Sequence, residues 1–224
     1  NTGTLTLGDG SDTIAFTGGV VATNPTSKTV NGTITAAGTG VINLGTSAVT
    51  VTGNSTIGGA SIGQITVGDA TLSDGVTLTL GTGIANIIST GAISGTAGGT
   101  ASNLTVNTTG AVTIGGAVGT DIGTVTVTQS GGTTFNSTVS AASIVLTDTA
   151  DASTISFTGN VTATTGMTVS ANGAYNVSFT GSSNTIAGAT TFGNTGTLTL
   201  GNGSDTIAFT GGVVATNPTS KTVN

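Results

Sequence analysis

The last 31 residues of this chain, Asn194 to Asn224, repeat the first 31, Asn1 to Asn31, with one change: Asn202 stands where the first copy has Asp9. The offset is 193 residues (194 less 1). The chain reads as one full unit, residues 1–193, followed by the start of the next, residues 194–224. It is expected to be a window onto a longer tandem array. Arrays of this kind gain length and surface by stacking each repeat on its neighbours, and they seldom concentrate chemistry in one pocket.

A finer period sets the expected architecture. Short segments alternate apolar residues with Thr, as in Thr4-Leu5-Thr6-Leu7, Val76-Thr77-Leu78-Thr79-Leu80 and Thr124-Val125-Thr126-Val127-Thr128. Such alternation places one face inward and the other in solvent, the pattern of a half-buried β-strand. The pair Leu104/Val106 recurs as Val125/Val127 and Ile144/Leu146; Ile155/Phe157 recurs as Val177/Phe179 and Leu198/Leu200. The steps are 19 to 22 residues, too short for a domain and long enough for one coil of two or three strands. The expected fold is all-β, a parallel β-solenoid with coils of about 20 residues. These pairs, with Leu5 and Leu7, should line its interior. Gly and Asn should turn the corners, where positive φ is needed. At a strand spacing of about 4.8 Å, nine or ten coils would give a unit roughly 45 Å long. The rival is a string of β-sandwich domains, but the two halves of the unit are unlike each other and the chain has no Trp.

Composition removes several functions. The only cations are Lys28 and Lys221, all eight acids are Asp, and the net charge is −6. Without Arg such a chain cannot neutralise phosphates, so nucleic acid is not an expected partner. Every long apolar stretch is broken by Gly, Thr, Asn or Ser, so no membrane-spanning helix is expected. Cysteine is absent, which excludes disulfides and thiolate metal sites. Charged residues make up 4% of the chain, yet mean hydropathy is +0.37 and Val, Ile and Leu recur throughout, unlike a disordered segment.

Segments such as GTLTLGDGSDTIAFTGG, NGTITAAGTGVINLG and ASTISFTGNVTATTGMTVSANG resemble the giant bacterial surface proteins built of β-strand repeats, among them filamentous-haemagglutinin-like exoproteins and autotransporter passengers. The resemblance lies in composition and rhythm and covers the whole chain. It implies export, a right-handed solenoid and a role in adhesion, sheaths or filaments.

Few residues invite chemistry. Gly8-Asp9-Gly10-Ser11-Asp12-Thr13-Ile14 fits most of the calcium-binding nonapeptide G-G-x-G-x-D-x-U-x, with Leu7 in place of the first Gly. Asp9 and Asp12 are the candidate metal ligands and Ca²⁺ the candidate ion; the plainer reading is an Asp/Gly-rich corner. Asp148 and Asp151 form a close carboxylate pair of the kind glycosidases use, but no His, Arg or Glu stands anywhere to assist. A polar corner is the plainer reading there too. Asn24-Pro25-Thr26-Ser27-Lys28, with the unit's only proline and only cation, reads as a solvated loop leaving the solenoid. Thr-x-Thr steps suggest ice-binding faces, but their irregular spacing argues against that use.

The expected function is structural and non-enzymatic: a repeat of an extracellular bacterial filament, sheath or giant adhesin stalk. Other copies of the same repeat are its expected partners, end to end or laterally. The alternative is an adhesin module whose outward Thr/Asn ladders bind glycans or a surface.

Overall fold

The structure, a computed structural model, describes residues 1–224 and contains 28 β-strands and no helix. Every strand pairing is parallel. Strands recur in threes, so that each coil contributes one to each of three faces. The first coil lays Thr4–Leu7 on face one, Thr13–Phe16 on face two and Val20–Val21 on face three; Ser27–Val30 then returns to face one over Thr4–Leu7. Two long strands, Val139–Leu146 and Val161–Val169, bend round a corner and serve faces one and two together. The result is a β-solenoid of about ten turns.

Coils are roughly 23 residues long, longer than the expected 20. The offset between stacked partners runs from 19 (Thr124 under Ser143) to 26 (Thr77 under Asn103). The strands keep register while the corners absorb the variation. Most of the extra length at the widest step is the corner 96–101, between Ile93–Gly95 and Ser102–Asn107. Regular apolar pairs in the second half of the chain reveal the tight coils; polar insertions in the first half mask the loose ones.

Register converts the sequence alternation into ladders. On face two, Ile14, Ile34, Ile57, Leu80, Val106, Val127, Leu146, Val169 and Phe192 stack in one inward file. On face three the file Ile114, Phe135, Phe157, Phe179, Leu200 carries three rings stacked at 4.9 and 5.0 Å. That spacing is the strand spacing, so parallel ring stacking follows directly from identical residues in register. Together 44 buried apolar residues form one continuous core. Every expected inward residue lies in it or against it; Leu5 and Leu200, near the two ends, are only half-covered.

The corners hold the coils at contact distance. Gly8 has φ +79°, and a Cβ there would lie 2.1 Å from the Asn31 carbonyl of the next coil. No other residue fits that position without moving the backbone. Asx side chains at the corners do a second job. Asn54, Asp69, Asn103, Asn160 and Asn176 each accept the backbone N–H of a residue one coil later (Thr77, Ala92, Thr124, Ser183 and Thr197), at 2.8–3.0 Å. They satisfy donors that the ladder leaves unpaired where the strands end.

Candidate functional site

The Asp9/Asp12 segment is the corner between the first strands of faces one and two, and it is solvent-exposed. The Asp12 carboxylate accepts the Asp9 N–H at 3.3 Å, closing the turn. In the second copy Asp205 accepts the Asn202 N–H at 2.8 Å, so the same turn forms with one carboxylate fewer. The neighbouring Asp12, by hydrogen bond first and charge second, holds the Asp9 carboxyl above its usual range. Ca²⁺ takes six to eight oxygen ligands. The turn offers two carboxylates, one already closing it, and nowhere in the chain do three or more His, Cys, Asp or Glu gather as a metal set. It is a place for weak, water-shared divalent contact rather than a full calcium cage.

Asp148 and Asp151 flank Gly173 of the following coil. The Asp148 carboxylate accepts the Thr149 N–H and that of Asp151 the Ala174 N–H, both at 2.8 Å. Both acids therefore act as backbone clamps at a corner. Beside them Tyr175 is fully buried, its hydroxyl donating to the Ser170 carbonyl at 2.9 Å. Burial, and secondarily the Asp148 charge, raise the Tyr175 phenol well above its ordinary value.

The Asn24–Lys28 segment departs from its expected form. It does not leave the solenoid. Residues 22–26 make a corner in which Pro25 is buried, and Lys28 occupies an inward position on face one, between Leu5 and Val49. Its side chain is 1% exposed. The ammonium donates to the Pro25 carbonyl at 3.1 Å and to the Ser47 hydroxyl, and Ser47 in turn donates to the Pro25 carbonyl at 2.8 Å. No carboxylate pairs with it, so desolvation lowers its pKa. A lone lysine reads as surface in any sequence; its position two residues before Val30, in the same period-2 phase as the core, is the one signal that placed it inward.

Outward hydroxyls form files where the sequence suggested irregularity. Face two stacks Thr13, Thr33, Thr56, Thr79, Thr105 and Thr126. Face three stacks Thr66, Ser89, Thr113, Thr134, Ser156, Ser178, Thr199 and Thr222. Uneven coil lengths hide this order in the sequence.

The largest concavities are the two ends of the core. At one end a hollow of about 430 Å³ is lined by Leu5, Leu7, Phe16, Val20 and Ala22 among others. At the other, a hollow of about 390 Å³ is lined by Leu200, Ile207, Phe209, Val213 and Val223 with Asp205 and Asn224. These are strand edges and core side chains that stacking elsewhere in the molecule would cover.

No family model matches the chain, and neither curated proteins nor solved structures provide a match.

Proposed function

We propose that the chain is a structural, non-enzymatic repeat of an extracellular bacterial filament, sheath or giant adhesin stalk. The observation that carries this reading is the continuous core, open at both ends, with the same 31 residues forming each end. A column of coils grows by adding coils, and every added coil covers an apolar end and pairs a free strand edge. The scarcity of Lys and Arg leaves few sites for trypsin-like proteases, which suits a surface location. Divalent cations enter only as bridges between acidic corners such as Asp9/Asp12. Electron microscopy of native material tests the reading: unbranched rods with a regular axial repeat are expected, and isolated globular particles would overturn it.

The hydroxyl files on faces two and three favour a second reading, in which the rod's flanks bind glycans or another ordered surface. A glycan array probed with the purified chain separates the two. Reproducible binding that is lost on replacing Thr79, Thr105 and Thr126 with Val would favour the adhesin module.

A further inference from the structure

We infer that the open edge of residues 194–224 is a docking surface for residues 32–55 of a second copy of this chain, and that the two copies join by exchanging their identical 31-residue segments. The inference deepens the structural reading and rests on it.

The same sequence occurs here in two settings. Residues 1–31 are covered on their downstream side, where Ile14 stacks under Ile34, Val20 under Ile42, Lys28 under Val49 and Val30 under Val51. Residues 194–224 are covered on their upstream side, where Val177 lies under Leu198, Asn184 under Ile207 and Thr190 under Val213. Each copy thus shows what the other lacks. The surface that fits over Ile207, Val213, Lys221 and Val223 is the one already seated on Ile14, Val20, Lys28 and Val30. Lys221 illustrates the gap. Its ammonium still donates to the Pro218 carbonyl, as Lys28 does to Pro25, but the serine hydroxyl that Ser47 gives Lys28 is missing.

In a free second copy, residues 32–55 already carry that copy's own 1–31. The incoming 194–224 has the same residues at every pairing position and takes their place. One such junction covers both hydrophobic ends, that of the first chain at Phe209 and Val223 and that of the second, whose own end segment is released. Exchange of identical elements is a low-cost route to association, and a head-to-tail contact of this kind runs on into an open filament.

The geometry of the joint is specific. The 28 strands fill 30 face positions, because Val139–Leu146 and Val161–Val169 fill two each. From Thr4–Leu7 to Thr197–Leu200 is 26 positions, which at three per turn is eight and two-thirds turns. Thr4–Leu7 lies on face one and its duplicate Thr197–Leu200 on face three. Each joined copy is therefore rotated by one face from the last, and the axial repeat is about 42 Å at a strand spacing of about 4.8 Å. Blunt end-to-end stacking would instead give ten turns, about 48 Å, with no rotation.

Cross-linking of the full 224-residue chain tests this. The native chain has no cysteine. Thr29 lies against Thr50 in the first copy, so exchange places Thr222 of one chain against Thr50 of the next. Both are exposed and outward-facing. The double variant Thr50→Cys, Thr222→Cys should give a reducible ladder of dimers, trimers and longer oligomers on oxidation after gentle warming. Blunt stacking would align Thr222 with Val21, so Val21→Cys, Thr222→Cys should give no ladder. Val30→Ala, added to the first pair, loosens a chain's own end segment and leaves the incoming Val223 intact; it should raise the cross-linked fraction, and Val223→Ala should lower it. A ladder from the Val21 pair, no ladder from the Thr50 pair, or a fall on adding Val30→Ala would each overturn the exchange. Rods seen by microscopy alongside any of those outcomes would leave the structural reading standing, and monomers without rods would remove both.

Discussion

The two copies of the 31-residue segment differ at one residue and yet have different interiors. Val30 is 0% exposed and Val223 76% exposed; Lys28 is buried and Lys221 is in solvent. At the opposite edge the order reverses. Asn194 is buried and donates to the Tyr175 carbonyl at 2.9 Å, whereas Asn1 is exposed and its side chain folds back to accept the Gly3 N–H. The segment supplies strands, corners and alternation; burial comes from whichever coil stacks on it. Even the face it occupies is set by the phase of the preceding turns.

The sharpest break in this comparison is expected between a residue covered on both sides and one covered on one. Phe157→Ala removes the middle ring of the Phe135–Phe157–Phe179 stack and should lower stability by about 3–5 kcal/mol. Phe16→Ala, at a half-covered end, should lower it by roughly 1–2 kcal/mol. Because solenoids unfold in parts, hydrogen exchange by segment is the appropriate measurement. Comparable losses of protection in the two variants would contradict the view that stacking, rather than the segment, creates the core.

Within the duplicate itself, Val30→Ala should cost about 2 kcal/mol and Val223→Ala no more than about 0.5 kcal/mol in the monomer. The difference should shrink as chain concentration rises if a second copy covers Val223. Denaturant midpoints at two concentrations measure it, and a concentration-independent gap would count against that covering.

How much of this was legible follows from the same contrast. Period-2 alternation and the recurring pairs at 104, 125 and 144 revealed the strands and their inward residues, because a parallel ladder forces like onto like. Ala15 under Thr35 or Lys28 under Val49 could not be read, since corners of unequal length conceal register until strands are paired. Lys28 was misplaced for a further reason. Its buried partners are a carbonyl and a hydroxyl rather than a carboxylate, and no acid in the sequence points to them. The Asp9/Asp12 and Asp148/Asp151 pairs were legible as corners. Their hydrogen bonds to backbone amides were not, because these depend on which coil lies above.

Lys28→Met tests whether the buried ammonium is tolerated or useful. The Ser47 hydroxyl keeps its bond to the Pro25 carbonyl without the lysine, so the variant should be neutral or more stable by about 1–2 kcal/mol. Lys221→Met should change little. The pH dependence gives a second reading of the same residue. Burial lowers the folded-state pKa of Lys28 below the ordinary 10.5, so the unfolded chain holds more protons between those two values. Stability contributed by this site therefore rises with pH across that window, and the rise should vanish in Lys28→Met. Tyr175 acts oppositely. Its raised pKa means that the unfolded chain loses a proton first above its ordinary value of 10.0, and stability falls from there upward. An alkaline melt in which Lys28→Met and the parent follow identical curves would show that the ammonium is not desolvated.

The smallest expected effect is at the one position where the copies differ. Asp12 keeps the Asp9 carboxyl protonated to a higher pH than usual. Below the ordinary 3.8 both folded and unfolded chains are protonated there, and no penalty exists; it appears as pH rises through the raised folded value. The parent should therefore gain slightly on acidification toward that window, and Asp9→Asn, which copies Asn202, should be slightly more stable at neutral pH and flat across it. The group is exposed, so added salt, which screens over about 10 Å at 0.1 M, should reduce the difference further. Ca²⁺ provides the complementary test. Calorimetric titration should yield weak heats with the parent that diminish in Asp9→Asn, Asp12→Asn, since two carboxylates at one turn attract a divalent ion more than none. The Asn202 turn, with Asp205 alone, should contribute less than its Asp9 counterpart. Equal heats from parent and variant would mean that the turn is only a corner, held shut by the same carboxylate-to-amide bond in both copies.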